Sequence, residues 1–403
     1  MTLIARLAAL AALLAPPAAL AEPDPADWDA VLAEARGQTV YWNAWGGATA
    51  TNAFIRWAGD TVEARFGVTV EHVKLSDTGD AVSRVLAEKT AGKDTGGAID
   101  LIWINGANFA AMKEAGLLFG PWAEELPNWR YVDVAGKPAV TSDFTVPTEG
   151  LEAPWAMAQV VFYHDTARLP DPPRTMAALL DWARAHPGRF TFPQPPDFLG
   201  STFLKQALYG VVDDPDLLQQ PVEMADYAAV TAPLWVFLDE LTPQLWRSGR
   251  AYPQTGPRQI QLMADGEIDL AISFSPGEAS TAIANGQLPD TVRTYVLEGG
   301  TIGNASFVAI PYNATAKAGA MVLADFLLSP EAQARAQDPD VLGYGTVLAM
   351  DKLSEADRAR FAALDLGIAT LSPEDLGPAL PEPHPSWMTR LQDDWIARYG
   401  VAD

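Results

Sequence analysis

The sequence predicts an α/β protein in which β-strands alternate with α-helices. Two observations support this prediction. Short apolar segments, such as residues 98–104, are followed by stretches whose apolar residues recur at helical spacing. This order occurs in the first third of the chain and starts again near residue 160. Strands that alternate with helices in this way predict parallel sheets with right-handed crossovers.

The first third of the chain contains three strand–helix units. The predicted strands are 40–43, 68–73 and 98–104, and the predicted helices are 49–66, 80–88 and 109–115. Residues 68–73 alternate apolar with polar side chains, which is typical of a strand with one covered face. Residues 98–104 are mostly apolar, which is typical of a buried parallel strand. The following stretch, 116–150, is irregular and no element is predicted in it.

A second strand–helix series begins with a strand at 160–163. It continues with strands at 189–192 and 268–274 and with helices at 174–185, 203–209, 232–248 and 260–264. The last third adds strands at 294–297 and 306–311 and helices at 317–328, from 330, at 354–364 and at 387–399. Ser329 followed by Pro330 is a typical start of a helix.

Length and charge limit the classes of function. The chain has 403 residues, enough for two or three domains, and 49% of them are apolar. There are 51 acidic and 27 basic residues, and the net charge is −24. This charge argues against a nucleic-acid partner, whose phosphates need a cationic surface. It also disfavours binding to anionic lipid and is compatible with high solubility.

The sequence contains no cysteine and four histidines. The lack of cysteine excludes disulfides, thiolate metal ligands and a cysteine nucleophile. His72, His164, His186 and His384 include no pair at the i, i+4 spacing of a helical zinc site. The sequence therefore predicts neither a metal nor a cofactor.

The N-terminus has the features of a secretory signal peptide over residues 1–21. Arg6 precedes an apolar segment, 7–14, that is too short to span a bilayer. Ala19 and Ala21 fit the small-residue rule for cleavage. No cysteine follows the cleavage point, so a lipid anchor is not expected. These features predict an exported, periplasmic protein.

Polar and aromatic residues follow the ends of two predicted strands. Trp42, Asn43, Trp45, Gly46 and Gly47 lie at the end of the first strand, and Asn105, Gly106 and Asn108 follow the third. Parallel strands end at one edge of a sheet, where ligands of open α/β proteins bind. The sequence therefore predicts a binding floor of tryptophan faces and amide groups. The alternative is that the tryptophans belong to the core and the glycine pair forms a plain turn.

Three segments resemble the extracellular solute-binding proteins of ABC importers: GEIDLA at 266–271, SFVAIP at 306–311 and ADFLLSPEAQ at 324–333. WNAWGG at 42–47 and DLIWING at 100–106 resemble the YnjB-like subfamily. The resemblance implies a two-lobed periplasmic-binding-protein type II fold. In this fold each lobe is a mostly parallel sheet flanked by helices, crossing hinge strands join the lobes, and hinge closure captures the ligand. It assigns 22–153 and 299–340 to an N-terminal lobe and 154–298 and 341–403 to a C-terminal lobe.

The resemblance places a second set of candidate ligand contacts on the opposite side of the cleft: Trp155, Gln159, Ser201, Ser275 and Glu278. Tryptophan faces attract cations, and Glu278 could supply a counter-charge. We therefore expect a cationic or heteroaromatic solute, thiamine-like or polyamine-like. The alternatives are that Trp155 belongs to the hinge core, that Gln159 faces a neighbouring strand and that Glu278 compensates a helix dipole.

The resemblance implies a monomeric receptor that performs no catalysis and docks transiently on an inner-membrane ABC permease. The alternatives are a sugar-binding receptor of the same fold, a secreted carbohydrate hydrolase and a scaffold subunit. A glycosidase needs two carboxylates across one bond, and the candidate loops offer only Asp197 and Glu278. The sequence also lacks the Gly-x-Ser-x-Gly and Ser-x-x-Lys signatures of acyl transfer. No catalytic residue is predicted.

Overall fold

The computed structural model describes residues 22–401, and the predicted signal segment 1–21 lies outside the described residues. The described strands are β1 Thr39–Trp45, β2 Thr69–Leu75, β3 Leu101–Ile104, β4 Ser142–Asp143, β5 Val146–Pro147, β6 Glu152–Gln159, β7 Val161–Asp165, β8 Leu270–Ser273, β9 Val292–Tyr295 and β10 Gly303–Ala309. The helices are α1 Trp28–Ala35, α2 Thr49–Phe66, α3 Thr78–Thr90, α4 Ala107–Glu114, α5 Met176–Ala185, α6 Phe198–Val211, α7 Tyr227–Leu241, α8 Gly256–Ala264, α9 Glu278–Ala284, α10 Lys317–Leu327, α11 Pro330–Gln337, α12 Glu355–Ala362, α13 Pro373–Leu376 and α14 Pro385–Tyr399.

The larger sheet has the strand order β2-β1-β3-β10-β6. The pairs of β1 with β2 and with β3 are parallel, whereas β10 is antiparallel to both β3 and β6. Four of its five strands therefore run in one direction, as the alternation of strands and helices predicts. We call this sheet and the side chains packed on it the first lobe.

The chain leaves the first lobe at the end of β6. Gln159 pairs with Gly303 in the ladder of β6 and β10, and the next residue, Val160, donates its N–H to the carbonyl of Ile302 at 2.7 Å. β7 begins at Val161 in a second, three-stranded sheet of order β8-β7-β9. This sheet and its core form the second lobe. The crossing strands that the resemblance implies are thus β6 and β10.

Most strands of the second sheet also run in one direction. β7 is antiparallel to both β8 and β9, so β8 and β9 run the same way. β7 runs opposite to its neighbours because it continues directly from the crossing strand β6 without a helical crossover. Phe190, in the predicted strand 189–192, adds a single parallel bridge to Leu270.

Each lobe has two apolar clusters, and we call the larger cluster of each lobe its core. The first core contains Trp42 and Trp155, and the second core contains Phe190, Trp387 and Trp395. The C-terminal part of the chain divides between them: Leu342, Val347, Leu348 and Leu353 pack in the first core. The predicted lobe boundaries stay a prediction, and this packing favours moving 341–353 to the first lobe.

The irregular stretch 116–150 folds as short helical turns and the two-stranded hairpin of β4 and β5. Val140 is part of the first core, and Phe144, in the turn of the hairpin, is almost fully buried. Among residues 22–401, none of the helices is long and apolar enough to cross a membrane. The same range holds no group of three or more histidine, aspartate or glutamate side chains placed to bind a metal ion.

Candidate functional site

The ends of β1 and β3 lie at one edge of the first sheet. Asn43 is paired with Ile102, and continuing this register places Trp45 and Gly46 beside Ile104 and Asn105. β1 extends two residues beyond the end of its predicted strand, so Asn43 lies inside the sheet. Its side chain is 5% exposed and donates to the carbonyl of Tyr41 at 3.4 Å. Trp45 and Asn105, by contrast, are partly exposed.

Trp42 and Trp155 pack against each other in the first core. Their ring centroids are 6.4 Å apart in an edge-to-face arrangement, and the exposed fractions are 0% and 1%. Phe54 and Trp103 cover further parts of the Trp155 ring at 5.9 and 4.8 Å. As ligand contacts, Trp42 and Trp155 stay predictions, and their burial favours the core alternative.

The glycine pair after Trp45 is required by close packing. A Cβ on Gly47 would overlap the Trp45 ring, and a Cβ on Gly46 would lie 2.6 Å from Cβ of Lys74. The N–H of Gly46 donates to the carbonyl of Leu75 at 3.0 Å, and its carbonyl accepts from Asn52 Nδ2 at 3.1 Å. The backbone of Gly46 is therefore already engaged. Trp45 retains an accessible ring and is the strongest candidate of this segment.

The loop after β3 is partly covered by the β4–β5 hairpin. The N–H of Gly106 donates to Asp143 Oδ2 at 2.6 Å, and a Cβ on Gly106 would lie 2.9 Å from the Phe144 ring. Gly106 therefore supports the hairpin. Asn105 and Asn108 are partly exposed on either side of it. These two amides could reach a ligand.

Two of the candidates from the second side of the cleft have protein partners. Gln159 Nε2 donates to Thr301 Oγ1 at 3.2 Å and to the carbonyl of Leu376 at 3.3 Å. Ser201 Oγ accepts from Gln392 Nε2 at 2.7 Å and donates to the carbonyl of Asp197 at 3.0 Å. Both side chains are buried and engaged. Their predicted ligand roles have no support in this arrangement.

Ser275 and Glu278 lie where the two lobes touch. Ser275 Oγ donates to the carbonyl of Gly343 at 3.3 Å, and the N–H of Gly277 donates to the same oxygen at 3.2 Å. Within residues 22–401, Glu278 Oε2 is buried and has no hydrogen-bond partner. Burial raises the pKa of Glu278, and the nearby hydroxyl of Ser273 opposes this shift.

Tyr344 is a candidate that sequence analysis missed. Its ring lies 5.9 Å from the Trp155 ring. Burial raises the pKa of Tyr344 to about 12, the hydroxyl of Thr51 opposes the shift, and the charge of Glu278 adds to it. The contacts of Gly343 with Ser275 and Gly277 place the neighbouring Tyr344 beside the start of α9, where Glu278 lies. The sequence signal that could have found it is its position between Gly343 and Gly345.

Asp197, the other acid of the candidate loops, caps α6. Its Oδ1 accepts from the N–H groups of Leu199 and Gly200 at 2.9 and 3.3 Å. Burial raises the pKa of Asp197 to about 6, although both hydrogen bonds oppose the shift. These contacts give Asp197 a structural role that explains its position.

Asp197→Asn should raise the stability at neutral pH relative to the wild type. The pKa of Asp197, about 6 in the folded state, lies above its value in the unfolded chain. The wild type therefore gains stability as the pH falls through 6, and the gain ends near pH 4. Asparagine keeps the cap and does not titrate. Urea unfolding should give an advantage of about 1 kcal/mol to the variant at pH 7 that shrinks towards pH 4. The control is Asp27→Asn, at the exposed cap of α1, and an equal advantage at both pH values would contradict the prediction.

Comparison with known proteins identifies the family. The family model described as "Bacterial extracellular solute-binding protein" matches residues 57–355. Protein YnjB of Escherichia coli (strain K12) is 44% identical over 375 residues, which cover 93% of this chain and 94% of YnjB. The chain belongs to the bacterial extracellular solute-binding proteins. The predicted family is therefore confirmed, and an extracytoplasmic location follows from it.

Solved structures of other solute-binding proteins confirm the two-lobed fold. The periplasmic binding protein AfuA of Actinobacillus pleuropneumoniae matches with a TM-score of 0.63 and 16% identity, over 91% of this chain and 99% of AfuA. A putative spermidine/putrescine ABC transporter protein of Listeria monocytogenes matches with a TM-score of 0.62 and 18% identity, over 89% and 98% of the two chains. Family and fold are those of binding proteins rather than of enzymes.

Proposed function

We propose that this solute-binding protein is the periplasmic receptor of an ABC importer. It captures a small solute between its lobes as a monomer and delivers it to an inner-membrane permease. The observation that carries the proposal is the buried, unpartnered carboxylate oxygen of Glu278, which lies at the contact between the lobes in the described part of the chain. The proposed contacts are Trp45, Asn105, Asn108, Ser275 and Glu278.

The proposed solute is cationic or heteroaromatic, thiamine-like or polyamine-like. Glu278 supplies a negative charge, and the accessible ring of Trp45 offers a face to a cation. The net charge of −24 also attracts cations from solution. Among the structural neighbours, the Listeria protein is described as a putative spermidine/putrescine transporter, whereas AfuA holds fructose-6-phosphate.

The alternatives have weaker support. Asp197 is committed to the cap of α6, so it is not free to pair with Glu278 in a glycosidase. A sugar receptor would need several free polar side chains, whereas Gln159 and Ser201 already bind protein groups. A scaffold subunit would not respond to any small solute, and its scattering radius would not change on addition of one.

The decisive experiment is mass spectrometry of whatever co-purifies with the native protein, followed by a thermal-shift screen. The screen compares thiamine, putrescine, spermidine, glucose and fructose-6-phosphate. Tight binding raises the melting temperature by mass action. We expect saturable stabilisation by a cation with no product formed. If none of these compounds raises the melting temperature, the proposed receptor function is contradicted. Product formation would indicate an enzyme.

Trp45→Ala should abolish the solute-induced rise in melting temperature and leave the melting temperature of the free protein nearly unchanged. The reason is that Trp45 is partly exposed and, in contrast to Trp42, lies outside the first core. Thermal unfolding with and without solute tests this. The control is Trp182→Ala, a partly exposed tryptophan on α5 of the second lobe. An equal loss of stability in the free Trp45 variant would show that Trp45 is a core residue.

A further inference from the structure

Residues 343–345 form a junction between the lobes. Met157 of the crossing strand β6 and Gly345 exchange two backbone hydrogen bonds, at 2.7 and 3.1 Å. The carbonyl of Gly343 accepts from Ser275 Oγ and from the N–H of Gly277, both in the second lobe. Tyr344 is therefore held between the hinge and the start of α9, one residue away from each of these contacts.

The surroundings of Tyr344 come from both lobes. Its ring lies beside Trp155, whose own ring is fixed by Phe54 and Trp103. Its neighbour Gly343 contacts Gly277, so Tyr344 lies beside the residue that precedes Glu278. Burial raises the pKa of Tyr344; Thr51, in the first turn of α2, opposes this rise, and the charge of Glu278 adds to it. Tyr344 and Glu278 thus come from opposite lobes to the same part of the lobe contact.

The hydrogen-bonding capacity at this point is not filled by the residues that the structure describes. Glu278 Oε2 and the hydroxyl of Tyr163 are both buried without a partner among residues 22–401. Burial raises the pKa of Tyr163, and the charge of Glu278 adds to this rise. A buried carboxylate oxygen without a donor is unfavourable. A positively charged donor would satisfy both the hydrogen-bonding capacity and the charge of the carboxylate.

We propose that Glu278 and Tyr344, one from each lobe, bind an ammonium group of the solute that carries N–H donors. This inference rests on the proposed receptor function and narrows its solute to primary or secondary amines. The N–H groups donate to Glu278 Oε2 and to the Tyr344 hydroxyl oxygen. A quaternary cation offers the same charge to the carboxylate and the aromatic faces but has no N–H to donate. Since the pair spans the lobe contact, an amine bound to both residues stabilises the closed arrangement.

The test compares two dications of equal charge by isothermal titration calorimetry on the mature chain. One is 1,4-diaminobutane, and the other is its bis(trimethylammonium) analogue. We expect the diamine to bind at least about 10-fold more tightly, as the loss of one charge-assisted hydrogen bond predicts. Glu278→Gln and Tyr344→Phe should each weaken diamine binding by about 10-fold or more. The controls are Asp290→Asn and Tyr41→Phe, which alter an exposed acid and an exposed tyrosine.

The outcomes separate this inference from the proposed function. Equal affinity for the two dications, or unchanged affinity in both site variants, would overturn the inference and leave the receptor in place. Saturable binding of only a sugar or a phosphate ester would also overturn the inference and leave the receptor function in place. If no compound binds, the receptor function itself fails. Circular dichroism monitors the fold of the variants, and the comparison of the two dications on the unaltered chain decides the inference even where a variant does not fold.

Discussion

Replacing Lys205 with methionine should lower the free energy of unfolding by about 3–5 kcal/mol, the cost of breaking a buried ion pair. Lys205 is 0% exposed, and its Nζ donates to Glu382 Oε2 at 2.6 Å. Glu382 Oε1 accepts from Asn304 Nδ2 at 2.9 Å. Without the ammonium group, Glu382 keeps a charge in the interior that one amide cannot compensate. Urea unfolding followed by circular dichroism measures the effect.

Two further variants show whether the loss comes from the uncompensated charge. Arg65→Met breaks the exposed pair of Arg65 with Glu331 and should cost about 1 kcal/mol or less. The double variant Lys205→Met with Glu382→Leu removes both buried charges, so it should recover part of the lost stability. If Lys205→Met costs no more than Arg65→Met, the buried pair contributes little and the prediction is wrong.

The same lysine also connects the two lobes. The Lys205 ammonium lies 4.3 Å from the ring centroid of Phe144, which belongs to the β4–β5 hairpin of the first lobe. Phe144 in turn packs on Gly106, in the loop that follows β3. No sequence pattern predicts the ion pair of Lys205 with Glu382. The two residues are 177 positions apart, and a charged residue inside an apolar helix carries no local signal for its partner.

Elements with strong local signals were predictable. The helix predicted at 49–66 is α2 Thr49–Phe66, because its buried residues recur at helical spacing and a glycine follows it. The hairpin Ser142–Pro147 was not predictable, since its strands are only two residues long. It depends on long-range contacts, such as the hydrogen bond of Gly106 with Asp143.

The candidate site was predictable as a region but less so residue by residue. The first strand is predicted to end at Asn43, whereas β1 extends to Trp45 and Trp42 lies in the core. Two tryptophans three positions apart on a strand face opposite sides, and only the packing of the sheet decides which is covered. Tyr344 has no element of its own, and its place at the lobe contact comes from its neighbours Gly343 and Gly345, which pair with residues more than 60 positions away.

Gly277→Ala should weaken solute binding by about 10- to 100-fold, since overpacking a tight contact costs about 1–3 kcal/mol and affinity scales with the closed fraction. A Cβ at Gly277 would lie 2.6 Å from both Cα and the carbonyl oxygen of Gly343. Both atoms belong to the backbone of the opposite lobe, so no side-chain rotation relieves the clash. The lobes must separate, and this separation pulls Glu278 away from Tyr344. Calorimetry gives the affinity, and small-angle scattering with and without solute gives the change in radius.

The backbone at Gly277 makes this variant a clean probe of lobe contact. Its φ of −91° and ψ of −5° are open to alanine, so the substitution introduces no conformational strain of its own. Gly343 is a poorer choice because its φ of +68° would be strained by any side chain. The control is Gly256→Ala at the start of α8, where a Cβ would meet only Leu199 at 3.4 Å. If Gly277→Ala has the same solute affinity and the same solute-induced decrease in scattering radius as Gly256→Ala, the backbone contact at Gly343 is not part of closure. A loss of affinity in Gly277→Ala alone, with unchanged stability of the free protein, would tie solute capture to this contact.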